Sequence, residues 1–536
     1  MKKPIVKILA VLATVAAAVT LLLAVGGAFT AKDEAFAFGT PTYVALNTVV
    51  EGALNAPDDY EAFLYTVPQN GALSFSMEHE KRSDILDDGW HITLYKIEDD
   101  RSYTELMFTR AYLNEMTEHW GETGVTAGSY LVVIEPGRLF LAGSFSLECH
   151  YVPSDNYEKE RNDTQETATP LTLGRARFGS SQGRSKGVDI DWFVLTLNED
   201  RCVSVTFNHN SQTMPQSGWN VSVLTADGSI LSDFTSRLTD STNTTGTIGL
   251  KAGTYYVRVD SQVLSTQTYS ILVSAVNPGP YEYEPNGDAI TATATVSGTT
   301  VKGSLAPRLL GLDRDYYKIV LAADSVVTVS FRHDVYEGSK GGWNLRVLDS
   351  EGNELVKKVS AWNSKEIKIG DPGASERWPG GLGLKAGTYY LCVDADSLSY
   401  NNGEYALTWT AVEKAAFEAE PNNEQSGAKA ISLHSYAYGA LIHSDTDYDV
   451  DWYKLTLDDE TNVSLEFGHE KIANSSSGWT VSFINEAGKT VKNFDFYQNR
   501  EKESTDTFQL PAGTYFLKVE PGLEATEDPY SLRVVG

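Results

Sequence analysis

The sequence predicts an all-β chain of four tandem antiparallel β-sandwich or jelly-roll domains behind an N-terminal export signal. Three observations carry this reading. A motif recurs four times at domain-sized intervals, alternating apolar and polar residues follow each copy, and no helical periodicity of useful length occurs beyond the N-terminal segment. The copies are Ala127-Gly128-Ser129-Tyr130, Ala252-Gly253-Thr254-Tyr255, Ala386-Gly387-Thr388-Tyr389 and Ala512-Gly513-Thr514-Tyr515, with glycines 125, 134 and 126 residues apart. Runs such as Tyr256-Val257-Arg258-Val259 follow, and then an aromatic residue opens another run: Phe145, Tyr269, Tyr405 and Tyr530. Alternation with turn residues between the runs marks half-buried strands. Asp227-Gly228, Glu351-Gly352 and Ala487-Gly488 sit between paired runs as hairpin turns. Units of this length own a core each, so they are beads and not solenoid turns.

From the N-terminus, Lys2, Lys3 and Lys7 precede an apolar run from Ile8 to Val25, and Ala35-Phe36-Ala37 offers a small-residue cleavage site. Residues 1–37 therefore read as a signal peptide or, alternatively, as an uncleaved membrane anchor. Residues 38–153, 154–278, 279–414 and 415–536 follow as the four repeats. Their boundaries fall near Ser154-Asp155-Asn156, Asn277-Pro278-Gly279-Pro280 and Glu413-Lys414-Ala415-Ala416. The final residues, Tyr530 to Gly536, read as a last strand. The 536 residues carry 43 Lys plus Arg against 72 Asp plus Glu, a formal charge of −29. Loss of residues 1–37 removes four lysines and two acids and leaves −31. Such acidity excludes nucleic acid, which needs clustered Lys and Arg, and argues against anionic membrane surfaces. Three cysteines cannot make a disulfide framework.

The acidity is partly patterned. Repeats two to four open with Glu-x-Glu-x-Asn, at Glu158, Glu160 and Asn162, at Glu282, Glu284 and Asn286, and at Glu418, Glu420 and Asn422. Thirty-one residues after each first Glu comes an Asp-x-Asp-aromatic step: Asp189-Ile190-Asp191-Trp192, Asp313-Arg314-Asp315-Tyr316 and Asp449-Val450-Asp451-Trp452. Residues two apart in an extended segment share a side. A constant interval implies that the two clusters hold a constant relation in space. Four carboxylates brought together repel unless a cation lies between them, and hard oxygen donors of this kind suit Ca2+. The alternative is a solvated acidic linker with no ion. Repeat one keeps only Asp59-Tyr60-Glu61, so its site is expected to be missing. Asp445, Asp447 and Asp449 imitate an EF-hand opening, but Val450 and Thr456 replace its glycine and closing Glu.

The Glu-x-Glu-Pro-Asn openings (Glu282 to Asn286, Glu418 to Asn422), the Asp-x-Asp-Trp/Tyr step and the late Ala-Gly-Thr-Tyr-Tyr resemble tandem bacterial pre-peptidase C-terminal domains. That β-sandwich family is related to the collagen-binding domains of clostridial collagenases. The resemblance covers residues 157–536 well and 40–152 weakly. It implies up to three calcium sites. Their ligands would be Glu158, Glu160, Asn162, Asp189 and Asp191, then Glu282, Glu284, Asn286, Asp313 and Asp315, then Glu418, Glu420, Asn422, Asp449 and Asp451.

A further pattern occupies all four units: His79 and Trp90, His209 and Trp219, His333 and Trp343, His469 and Trp479. The His-to-Trp interval is 11 residues once and 10 three times. Two readings compete. The pairs could be exposed platforms for stacking on a sugar or a proline-rich chain. Alternatively each Trp packs inside its sandwich, as the alternation Trp219-Asn220-Val221-Ser222-Val223 suggests, with His held by a backbone partner.

Enzyme signatures fail on context. Gly179-Ser180-Ser181-Gln182-Gly183 has the form of a nucleophile elbow but lacks its strand-to-helix setting. His79-Glu80 and His469-Glu470 lack the second His of a zinc helix. Cys202 and Cys392 lie in alternating runs as buried thiols. The expectation is a secreted or surface-displayed, non-catalytic array that binds calcium and acts as a binding or spacer module. Its partner would be an extracellular protein or polysaccharide, with membrane contact only through an uncleaved N-terminal segment. The alternatives are an accessory subunit of a secreted protease system and, last, a hydrolase.

Overall fold

The computed structural model describes residues 40–81, 88–138, 140, 142–262, 267–334, 342–361, 365–370, 381–395, 403–442, 449–524 and 526–536. The expected export segment lies outside these residues, as do Asp445 and Asp447. Among them the secondary structure is β, apart from a single 3-10 turn at Gln425–Gly427. The chain divides into two compact units, one reaching residue 245 and including 251–277, the other comprising 246–250 and 278–536.

Each repeat folds as two facing sheets. In repeat two the first sheet runs, in spatial order, Thr169–Pro170, Ile190–Leu197, Gly253–Ser261, Ser217–Thr225 and Ile230–Arg237. The second runs Arg177–Ser180, Thr268–Val276, Arg201–His209 and Thr242–Thr244. All these pairings are antiparallel except that of Thr169–Pro170 with its neighbour. The order is the same in the other repeats, for instance Thr293–Ala294, Arg314–Leu321, Gly387–Ala395, Trp343–Leu348 and Glu354–Ala361 in repeat three. Burial alternates along these strands, as in Tyr317, Ile319 and Leu321, so one face of each sheet meets the core.

The His-Trp pairs belong to that core. Trp90, Trp219, Trp343 and Trp479 are among the largest fully buried side chains, and His79, His209, His333 and His469 are buried too. The His and Trp ring centroids lie 4.5, 4.6, 4.5 and 4.6 Å apart. Each His Nδ1 is within hydrogen-bond distance of the next residue's carbonyl: Glu80 at 3.2, Asn210 at 3.1, Asp334 at 2.8 and Glu470 at 2.9 Å. Of the two readings of these eight residues, the exposed platform is corrected and the packed arrangement is the one observed. Their ring faces are covered because the Trp side chain opens a strand on the core side and carries the largest apolar area available to fill the sandwich.

Within each unit the linker of one repeat docks on a strand of the repeat before it. In unit one, Glu160 N donates to Gly124 O at 3.3 Å, and a Cβ on Gly124 would lie 2.2 Å from Glu158 O. In unit two, Glu420 N donates to Gly383 O at 2.9 Å, and a Cβ on Gly383 would lie 2.0 Å from Glu418 O. Gly249, in unit two, stands in the same relation to Glu282 and Glu284. Repeat four carries Gln509 at this position, and its Nε2 donates to Glu460 Oε1 at 2.9 Å. Beside Gly383, Val326, Phe417 and Ala440 form a small buried apolar cluster with Tyr438 and Ile442 packed on it.

Two outcomes are expected from denaturant unfolding. Trp343→Ala removes a fully buried indole and should cost about 3–5 kcal/mol. Gly383→Val forces the linker backbone away and should cost about 1–3 kcal/mol and open residues 414–424 to protease, whereas Gln509→Val should stay within about 0.5 kcal/mol of the parent. A silent Gly383→Val would refute the docking role.

Candidate metal centre

The Glu-x-Glu-x-Asn segment runs beside the first strand of the second sheet, and the Asp-x-Asp step opens the second strand of the first. Glu158, Glu282 and Glu418 donate backbone N–H groups to the carbonyls of Phe178, Lys302 and Tyr438 at 2.8, 2.9 and 2.7 Å. Trp192 N and Tyr316 N donate to Asn162 O and Asn286 O at 2.9 and 3.0 Å, joining the two acidic clusters in repeats two and three. The bond after the second Glu is cis in all three repeats.

All fifteen sequence-predicted residues are buried, and several of their hydrogen bonds recur from repeat to repeat. Asn162, Asn286 and Asn422 donate Nδ2 to the first Glu of their own repeat at 3.3, 3.0 and 2.9 Å. Ser180 N and Ser304 N donate to Glu158 and Glu282 Oε1 at 2.8 and 2.7 Å. Asp313 and Asp449 accept from Ala306 N and Ile442 N, both at 2.6 Å, and Asp189 accepts from Gln182 N. The second Asp accepts from a core tyrosine: Tyr269 to Asp191, Tyr405 to Asp315 and Tyr530 to Asp451.

Three acceptors are left over in every one of these repeats. Oε1 of Glu160, Glu284 and Glu420 has no hydrogen-bond partner. Neither has Oδ1 of Asn162, Asn286 and Asn422, nor Oδ1 of Asp191, Asp315 and Asp451. Carboxylate oxygens of Glu158, Glu160 and Asp191 lie within 4.8 Å of one another, as do those of Glu284, Asp313 and Asp315 and those of Glu418, Glu420 and Asp451. A buried acceptor without a donor is costly, and carboxylates this close repel one another unless protons or a cation offset their charge. Oxygen-only donors of this number and burial fit a hard divalent cation.

The electrostatics follow. Burial first, and then repulsion by Glu160 and Asp189, holds Glu158 well above the usual carboxylate range. Burial and the neighbouring acids raise Asp191, Glu284, Asp315, Glu418 and Asp449 in the same way. Glu282 is pushed up to about 8 by burial, against hydrogen bonds from Tyr317 and Ser304 that favour its charge.

Repeat one lacks the arrangement. Glu61 occupies the register position of Asp191, opposite Ile134 where Asp191 is opposite Val259. Phe145 stands opposite His79 where Tyr269 stands opposite His209, so the hydroxyl donor is missing too. Asp59 instead accepts from the backbone N–H groups of Asn55 and Tyr60 at 2.9 and 3.0 Å.

Two features escaped the sequence reading. Arg184 donates to Glu160 and Asp163 at 2.9 and 3.5 Å and to Asp189. Its only signal was a position five residues before the first Asp, shared with Arg308. Gly179, read as part of a spurious elbow, is a packing glycine: a Cβ there would lie 2.5 Å from Tyr269 Oη and 2.7 Å from Glu158 Oε2. Ser181 Oγ accepts from Trp219 Nε1 at 3.3 Å. Cys149, Cys202 and Cys392 are buried, and burial pushes the thiols of Cys149 and Cys392 up to about 12 and about 11.

Residues 458–528 match the secretion system C-terminal sorting domain, a stretch whose strands here belong to repeat four. That match makes the chain a secreted or cell-surface protein. No curated protein sequence matches it. Among solved structures, the pre-peptidase C-terminal domain of collagenase from Bacillus anthracis is similar at 17% identity and a TM-score of 0.17, over 20% of this chain and 94% of that one. N-glycanase F is similar at 8% identity and a TM-score of 0.19, over 43% and 99%. The CUB1-EGF-CUB2 region of human MASP-1/3 is similar at 10% identity and a TM-score of 0.14, over 43% and 100%.

The raised carboxyls give the metal-free protein a defined pH response. A folded-state pKa above the unfolded one means that the native state keeps protons the unfolded chain has released. Stability should therefore fall as pH rises from the ordinary glutamate value of 4.5 through about 8 for Glu282. In chelator, the melting temperature of the unit that holds repeat three is expected to decline up to about pH 8 and to level off above it. A melting temperature that rose across that window would refute the buried, ion-free carboxylate cluster.

Proposed function

We propose that this secreted or cell-surface chain is a non-catalytic array of pre-peptidase C-terminal-like β-sandwiches whose acidic centres in repeats two to four bind calcium. One observation carries the reading: the same three acceptor oxygens per repeat, on the second Glu, the Asn and the second Asp, are buried and have no donor. Calcium accepts six to eight oxygen ligands in a flexible shell, whereas magnesium demands a near-octahedral set and keeps its waters. Zinc favours nitrogen and sulfur. Carboxylates and an amide oxygen match the first of these.

The ion would act on the linker. Each Glu-x-Glu-x-Asn segment precedes its sandwich in sequence, while the Asp-x-Asp step belongs to the sandwich itself, so a shared ion holds one to the other. Ligand-linked stabilisation amounts to about 2.7 kcal/mol at a hundredfold excess over the dissociation constant, and extracellular modules bind calcium at about 10⁻⁴–10⁻³ M. Millimolar calcium is thus expected to raise the melting temperature of the purified chain, with magnesium doing less. Asp451→Asn should reduce the calcium-dependent rise. The reading fails if calorimetry shows the same transition in calcium and in chelator.

A further inference from the structure

The three acidic centres are not equivalent, and we propose that Arg184 is a built-in counter-cation that makes the repeat-two centre the weakest divalent-cation site of the three. The inference rests on the calcium reading above and deepens it. The side chain of Arg184 is enclosed, at 0 % exposed, and its Nη2 lies among Glu160, Asp163 and Asp189. A guanidinium does not lose its proton in proteins, so this charge is permanent.

Two consequences follow for an incoming ion. The first concerns ligands. The cluster is Glu284, Asp313 and Asp315 in repeat three and Glu418, Glu420 and Asp451 in repeat four. Repeat two has the counterpart of the latter, Glu158, Glu160 and Asp191, but among the described residues it alone adds a second cluster, in which Asp189 joins Glu160 and Asp163 around the arginine. Glu160 Oε2 is also taken by Arg184, where in repeats three and four the equivalent oxygen accepts from the backbone N–H of Asn286 or Asn422 at 3.1 and 2.8 Å. The second concerns charge. A fixed positive group bonded to two of the ligands repels a second cation across a few ångströms of low dielectric.

Repeat two is set up for this exchange. Asp163 follows Asn162, whereas Gly287 and Asn423 follow the corresponding asparagines, so the extra acid and the enclosed arginine occur together. Arg308, in repeat three, is 19 % exposed and reaches Asp313 Oδ1 at 3.3 Å from the edge. In repeat four the sequence position is Ser444. Among the described residues, Lys429 and Lys385 lie near enough to favour the charged forms of Glu418 and Glu420. Lys385 donates its Nζ to Pro421 O at 2.6 Å.

Calcium binding to the full chain, followed by equilibrium dialysis with elemental analysis and by titration calorimetry, tests the proposal. The parent protein is expected to take two ions in a tight phase, with the third needing at least about tenfold more calcium. Arg184→Gln should bring the third ion into the tight phase. Because that variant leaves buried acids without their partner and could unfold, Asp191→Asn provides a second test. It should leave two tight ions, whereas Asp451→Asn leaves one. Three tight ions in the parent, a tight ion lost in Asp191→Asn, or an unchanged two-phase isotherm in a folded Arg184→Gln would each overturn the role of Arg184 while calcium binding stands. No bound ion and no thermal shift in any of these proteins would overturn the calcium reading itself.

Discussion

Everything distinctive in repeats two to four depends on four carboxylates held together away from water. Their protein donors reach some oxygens and leave others without a donor. Glu284 Oε1, Asn286 Oδ1 and Asp315 Oδ1 are such atoms. In a low-dielectric interior that arrangement is unfavourable while the groups are ionised. The protein can respond by retaining protons, by placing a cation of its own among them, or by taking one from solution. The raised carboxyls express the first response, Arg184 the second, and the proposed calcium the third.

The same short segment performs two tasks because an extended chain separates backbone from side chain. The N–H of Glu160 bonds to Gly124 and the N–H of Glu420 bonds to Gly383, on the preceding repeats of their units. Their carboxylates meanwhile enter the acidic centres of their own repeats. Docking and the proposed ion binding therefore share a residue. Displacing the linker by adding a Cβ at the glycine would move a carboxylate of the acidic centre.

Repeat one shows what the scaffold does without the centre. It keeps the sheet order, the buried Trp90 and the His79 contact with it. It lacks the pair of buried aspartates and puts Phe145 in place of the tyrosine donor. The edge-on contact of Phe145 with Phe63 at 6.4 Å matches that of Tyr269 with Phe193 at 6.5 Å, so the packing is kept and the hydroxyl is lost. The sandwich consequently does not need the acids, which separates the fold from the site built on it.

The all-β architecture was legible in the sequence because strand burial has a period of two and the repeat is displayed four times. The acidic centres were legible for a related reason: a constant interval between Glu-x-Glu-x-Asn and Asp-x-Asp survives in sequence when two segments meet in space. The His-Trp pairs were found with equal ease, yet their spacing alone left exposed and buried arrangements open. Only the tertiary structure decided that, because which face of a strand meets the opposite sheet depends on register. It also decided that Gly124 and Gly383 accept a linker, that Gly179 makes room for Tyr269, and that Arg184 enters a cluster of acids. Those contacts join residues with no common period or interval, and so nothing in the linear pattern announces them. By itself the sequence determined the strands, the repeat and the identity of the acids. The structure determined which oxygens remain without a donor, since that depends on where every neighbouring N–H and O–H group comes to rest.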